Sequence, residues 1–149
     1  HYQLIAAPGI GRVVASIVPH LVTRRLVESQ LSEIFAPQPV PPGYAERGGV
    51  NLALRPHTFR TNAQALTDLH SQIRANQPRY PEIRCPVEIQ HGTEDRLVPA
   101  EIHAEPLARM LPEARLELLK GIGHMPHHAV PERVRAALVR LRGRVDPAG

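Results

Sequence analysis

Two short strand-forming runs, each closed by a glycine and each followed by a helix-forming stretch, govern what the C-terminal half of this chain can fold into. Val87-Glu88-Ile89-Gln90-His91 ends at Gly92, and Arg115-Leu116-Glu117-Leu118-Leu119 ends, after Lys120, at Gly121; their length and alternation mark strands. Between them Leu107, Met110 and Leu111 recur at helical spacing up to Pro112. Pro106 must either open that helix or kink one begun near Glu101, because proline lacks the amide a helix interior needs. Pro131 opens a last helix, in which Val134, Leu138 and Leu141 are expected to share one face while Arg133, Arg135, Arg140 and Arg142 point to water. Strand, helix, strand, helix at these lengths is a βαβα unit with parallel strands. Glu88 and Gln90 depart from the wholly apolar run of a central parallel strand, so one face of the first strand is expected to be less deeply covered.

The first half reads differently. Ile10, Val13, Val14, Ile17 and Val18, then Leu21, Leu26, Leu31, Ile34 and Phe35, recur at helical spacing, with a break or kink at Pro19. Prolines in Pro37-Gln38-Pro39-Val40-Pro41-Pro42-Gly43-Tyr44 favour an extended, rigid hinge. A second helix runs from Arg55-Pro56 to about Asn76, with Phe59, Ala63, Leu66, Leu69 and Ile73 on one face. Residues 77–86, rich in proline, are expected to form an irregular connector.

Composition narrows the function classes. The net charge of +4 comes from 18 basic residues, all arginine except Lys120. They are scattered singly or in pairs, and aromatic residues are 3% of the chain, so neither the basic stripe nor the stacking platform of a nucleic-acid binder is present. Cys85, the single cysteine, excludes a disulfide framework and a zinc knuckle and is expected to be a buried thiol. No apolar run approaches the ~20 residues of a membrane span. The chain opens on His1-Tyr2-Gln3-Leu4 without the features of a signal peptide; the expectation is a soluble, cytoplasmic protein whose natural chain begins upstream.

The loops after the two strands carry the candidate chemistry. In an open parallel sheet, loops at the C-terminal strand ends gather at one crevice, which brings Asp95 of Gly92-Thr93-Glu94-Asp95-Arg96-Leu97-Val98-Pro99 toward His124 of Gly121-Ile122-Gly123-His124-Met125. An imidazole accepts a proton from a nucleophile only in the correct tautomer, and a carboxylate on its far nitrogen fixes that tautomer and stabilises the imidazolium. Asp95 is therefore the candidate acid and His124 the candidate base. Against this, Asp95 can merely cap a turn, Glu94 is a rival acid, and His124 can be an ordinary loop histidine. His124, His127 and His128 resemble a metal cluster superficially, but no acid or cysteine completes a ligand set and no metal or cofactor is expected. His20, His57, His70 and His103 read as surface or cap residues. None of Ser16, Ser29, Ser32 and Ser71 lies in a Gly-x-Ser-x-Gly turn, so no nucleophile is visible.

From about Tyr80 to Leu141 the chain resembles the last two strand–helix units of the α/β-hydrolase fold. The resemblance is carried by Cys85-Pro86-Val87, His91 to Pro99, Leu111-Pro112-Glu113-Ala114, Gly121 to Met125, and Pro131-Glu132-Arg133-Val134, with Asp95 preceding His124 as in the family's nucleophile, acid, base order. It implies an α/β fold, the C-terminal part of a parallel sheet, over residues 81–149, and a helical cap over residues 1–80. It also implies a carboxylic-ester hydrolase, esterase- or lipase-like, taking a small apolar ester-like substrate. Val98 and Met125 are candidate pocket walls; of Leu31, Ile34, Phe35, Phe59, Leu66 and Leu69, most are expected only to pack the cap.

Two other functions stay open. An aspartate nucleophile would make the same acid–base pair a haloalkane dehalogenase or epoxide hydrolase, and a non-catalytic fragment would bind a small apolar ligand or another chain. Two strands cannot complete such a sheet, so either the N-terminal half of the same enzyme or a second chain is the expected partner.

Overall fold

The computed structural model describes residue 17 and residues 21–145. The expected helix through Ile10, Val13, Val14 and Val18, the break at Pro19, and Ser16 and His20 lie outside the described residues. Helix α1 spans Arg24–Phe35, α2 Tyr44–Arg47, α3 Val50–Ala53 and α4 Pro56–Asn76; a 3₁₀ helix follows at Gln77–Glu82. Then come β1 (Val87–Gly92), α5 (Ala104–Met110), β2 (Ala114–Leu119), α6 (Pro126–Ala129) and α7 (Pro131–Val145). Two compact units result: one holds Val40–Gln77 and the residues up to Leu31, the other holds Ser32–Pro39 and the residues from Pro78 on.

In the first unit, Pro56 sits in the opening turn of α4, where its missing amide would have had no helical partner in any case. Ala63 is buried and Phe59 half-buried, whereas Leu66, Leu69 and Ile73 on the same face are 45–48% exposed. Leu31 of α1 is buried. The 3₁₀ helix corrects the expectation of an irregular connector. Its i→i+3 pattern asks for few amides, and the fixed φ of Pro78 and Pro81 is compatible with it. Cys85 lies in the bend that follows and is exposed, not buried.

The second unit is built on β1 and β2, which pair in parallel with Val87 opposite Ala114 and Gly92 opposite Leu119. α5 makes the crossover and packs on both strands. Pro106 falls in its first turn, so the helix is neither kinked nor extended back to Glu101. Ala100, Ala104, Leu111 and Leu119 are buried here.

α7 covers the sheet face that carries Glu88, Gln90 and Glu117, and does so differently from the apolar expectation. Glu88 is not left near solvent: its side chain is 6% exposed and accepts a 3.0 Å hydrogen bond from Arg140. Glu117 accepts from Arg140 at 3.3 Å, from Gln90 at 2.9 Å and from Arg133. The Arg133 carbonyl accepts from Gln90 Nε2 at 3.0 Å. These acids draw Arg133 and Arg140 to the sheet, and the helix turns with them. Ala137 becomes its buried residue, Val134 and Leu141 half-buried, while Leu138 and Val139 are 60% and 61% exposed. The Glu117 carboxyl is pulled down to about 2, chiefly by the hydrogen bonds from Arg133 and Gln90, against its burial and with the charges of Arg133 and Arg140. Glu88 Oε1 and Arg140 Nε, both buried, have no hydrogen-bond partner among the described residues.

Candidate functional site

The glycines that close the strands let the two loops touch. A Cβ at Gly92 would stand 2.1 Å from the Ile122 carbonyl oxygen and 2.3 Å from that of Gly123, so only glycine admits this approach. Three hydrogen bonds lace the loops: Glu94 N–H to the Ile122 carbonyl (2.9 Å), Thr93 N–H to the Leu119 carbonyl (3.1 Å), and Gly121 N–H to Thr93 Oγ1 (3.0 Å). The C-terminal ends of neighbouring parallel strands thereby hold both loops at one edge of the sheet.

Asp95 is buried at the turn, its side chain 4% exposed. One carboxylate oxygen, Oδ1, accepts the amides of Leu97 (3.0 Å) and Val98 (2.9 Å). The other, Oδ2, lies 2.8 Å from His124 Nδ1. The cap role and the acid role are thus filled by different oxygens of the same residue. Burial by itself raises the Asp95 carboxyl, but the Val98 amide, the hydrogen bond and charge of His124, and the Leu97 amide outweigh it and hold the group below its ordinary value. Asp95 is therefore ionised at neutral pH.

An ionised carboxylate only accepts, so Nδ1 of His124 carries a proton, and in the neutral ring Nε2 has the free lone pair. The His124 side chain is 36% exposed, and among the described residues Nε2 has no hydrogen-bond partner. Such an imidazole is fit to take a proton from an incoming hydroxyl or water. Glu94, the rival acid, is exposed, and its bond to the histidine loop is made by its backbone N–H, to the Ile122 carbonyl.

Val98 and Met125 flank the pair and are half-buried. Val98 serves through its backbone: its amide caps Asp95, and its carbonyl accepts from His91 Nε2 at 2.7 Å. The Met125 carbonyl accepts the amides of His128 and Ala129 and starts α6. His127 and His128 are exposed, with ring centroids 4.5 Å apart, and the His128 ring lies 5.5 Å from that of Phe35. Burial first, then the charges of His128 and His124, lower the His127 pKa. No group of three His, Cys, Asp or Glu side chains able to hold a metal occurs among the described residues. His57, His70 and His103 are exposed, and His103 occupies the residue before α5.

Two contributors have no obvious mark in the sequence. His91 Nε2, besides its bond to Val98, stands 3.4 Å from Asp95 Oδ2; its adjacency to Gly92 was the available signal. Gln38 donates from Nε2 to the Gly121 carbonyl (2.8 Å) and accepts from the Gly123 amide on Oε1 (2.9 Å). It lies more than eighty residues away in the chain, and no local pattern announces it.

No family model and no curated protein matches the chain. Solved structures do. A thermophilic esterase from Thermogutta terrifontis superposes with TM-score 0.59 at 20% identity, covering 87% of this chain and 47% of its own. A candidate lipase of Acinetobacter baumannii AYE gives 0.58 at 19%, covering 93% and 44%. An α/β-hydrolase enzyme from a Medee basin deep-sea metagenome library gives 0.50 at 20%, covering 89% and 48%. The chain has the fold of the C-terminal part of an α/β-hydrolase sheet, and it spans less than half the length of these neighbours.

Proposed function

We propose that this chain supplies the acid, Asp95, and the base, His124, of a nucleophile–His–Asp triad that cleaves an ester-like bond in a small apolar substrate. The observation that carries the reading is the 2.8 Å bond from His124 Nδ1 to a buried Asp95, with Nε2 left for a proton in flight. The nucleophile and the oxyanion donors belong to the remainder of the sheet, an N-terminal half of the same enzyme or a second chain. Residues 1–80 act as a helical cap, and Val98 and Met125 border the pocket. The esterase and lipase neighbours support ester chemistry.

In this reaction the nucleophile's hydroxyl would deliver its proton to Nε2 as it attacks the acyl carbon, and the imidazolium would return it to the leaving alcohol. An aspartate at the nucleophile position would instead make His124 activate the water that hydrolyses the alkyl-enzyme. The test is hydrolysis of short p-nitrophenyl esters by the 149-residue chain, alone and combined with the segment encoded upstream. The chain alone is expected to match its His124→Ala variant, and the combination to turn over in a His124-dependent way. Robust, His124-dependent activity of the chain alone would overturn the missing-nucleophile reading. A combination active on haloalkanes or epoxides but not esters would favour the aspartate enzyme.

A further inference from the structure

We propose that Gln38 is a positioning residue for His124, holding the base in register with Asp95; the proposal rests on the acid–base reading above. The histidine loop has two sides. One is tied to the acid loop through Thr93 and Glu94, both from the βαβα unit. The other is tied by a strut from outside that unit, Phe35 to Gln38. Phe35 is fully buried, with its ring 5.5 Å from His128. A Cβ at Gly123 would stand 1.9 Å from the Ala36 carbonyl oxygen, so the strut's backbone lies directly against the residue preceding His124.

Gln38 then closes both ends of the three-residue turn. Its carboxamide donates to the Gly121 carbonyl and accepts the Gly123 amide. A primary amide offers a donor and an acceptor on one planar group; asparagine is too short to reach both and glutamate can only accept. Gly123 is buried, and its amide has no other partner among the described residues. Without Gln38 that amide would be left unsatisfied, which favours local opening of the turn. Opening moves the His124 backbone and lengthens Nδ1 to Oδ2.

The experiment is NMR on the 149-residue chain labelled with ¹⁵N-histidine. The unmutated chain is expected to show His124 as a single tautomer, with a protected low-field proton on Nδ1. Gln38→Leu keeps the bulk and removes both bonds. Exchange of that proton should quicken about tenfold, the order of one net hydrogen bond, while the backbone amide of Glu117 in β2, which faces β1, keeps its protection. Gln38→Glu keeps the bond from Gly123 and should give a smaller change, and it decides the matter if the leucine variant does not fold. Unchanged His124 signals in a folded variant would overturn the role of Gln38 alone. Absence of the protected Nδ1 proton in the unmutated chain would overturn the acid–base reading with it.

Discussion

At the scale of single residues, each Asp95 oxygen has a separate task, and the two can be separated by mutation. Asp95→Asn keeps an oxygen for the Leu97 and Val98 amides but turns an NH₂ toward His124. Nδ1 must then accept, the ring proton moves to Nε2, and the base is lost. If the chain works as proposed, turnover of its combination with the upstream segment should fall by about 10⁴, and ¹⁵N shifts of the imidazole should report the exchanged tautomer. The glycines divide as sharply. At Gly123 an added methyl meets the Ala36 carbonyl at 1.9 Å, whereas at Gly143, in α7, it meets nothing within 4 Å. Gly123→Ala should cost about 3 kcal/mol. Gly143→Ala should stabilise the chain by about 0.5–1 kcal/mol, since a helical glycine gains from a side chain that restricts the unfolded state. Urea unfolding of the two variants checks both signs.

At the scale of elements, the seam between α7 and the sheet makes stability depend on acid. Glu117 has its folded value depressed to about 2 from 4.5. Its contribution is therefore complete above the unfolded value and is lost as pH falls from about 4.5 toward 2. Asp95, also depressed, loses its contribution in the same direction. Urea midpoints at pH 6 and pH 2.5 should differ markedly, and Glu117→Gln should shrink that difference without abolishing it. This seam is also where sequence and structure part company. The strands, the parallel crossover, the helix starting at Pro56 and the two loops were legible because glycine, proline and apolar spacing are local signals. The rotation of α7 was not. Apolar periodicity nominated Leu138, but two acids on the sheet outweighed it by capturing Arg133 and Arg140, and such pairing joins residues up to 52 positions apart. Gln38 was illegible for the same reason: its partners are distant, while its own neighbours announce only a proline-rich hinge.

At the scale of the whole molecule, the sheet has a free side among the described residues. Val87 N–H bonds to Glu113 and Thr93 N–H to Leu119 in the neighbouring strand and its end; strand alternation therefore turns the amides of Glu88 and Gln90 away from β2. Hydrogen exchange on the isolated chain should find those two amides fast and the Val87 amide slow. If an upstream half completes the sheet as proposed, its addition should slow them by a factor of about ten or more per hydrogen bond gained. Fast exchange that persists in a His124-dependent active combination would place the added strand elsewhere.

Gly92 and Gly123, where any Cβ would meet backbone within about 2 Å, carry a hereditary consequence. Every glycine codon tolerates change in its third base, and a single change in either other base installs a side chain or stops translation. Along the lineage of this gene those two codons should record silent drift and almost nothing else, and a random mutagenesis library selected for the folded chain should return empty at both.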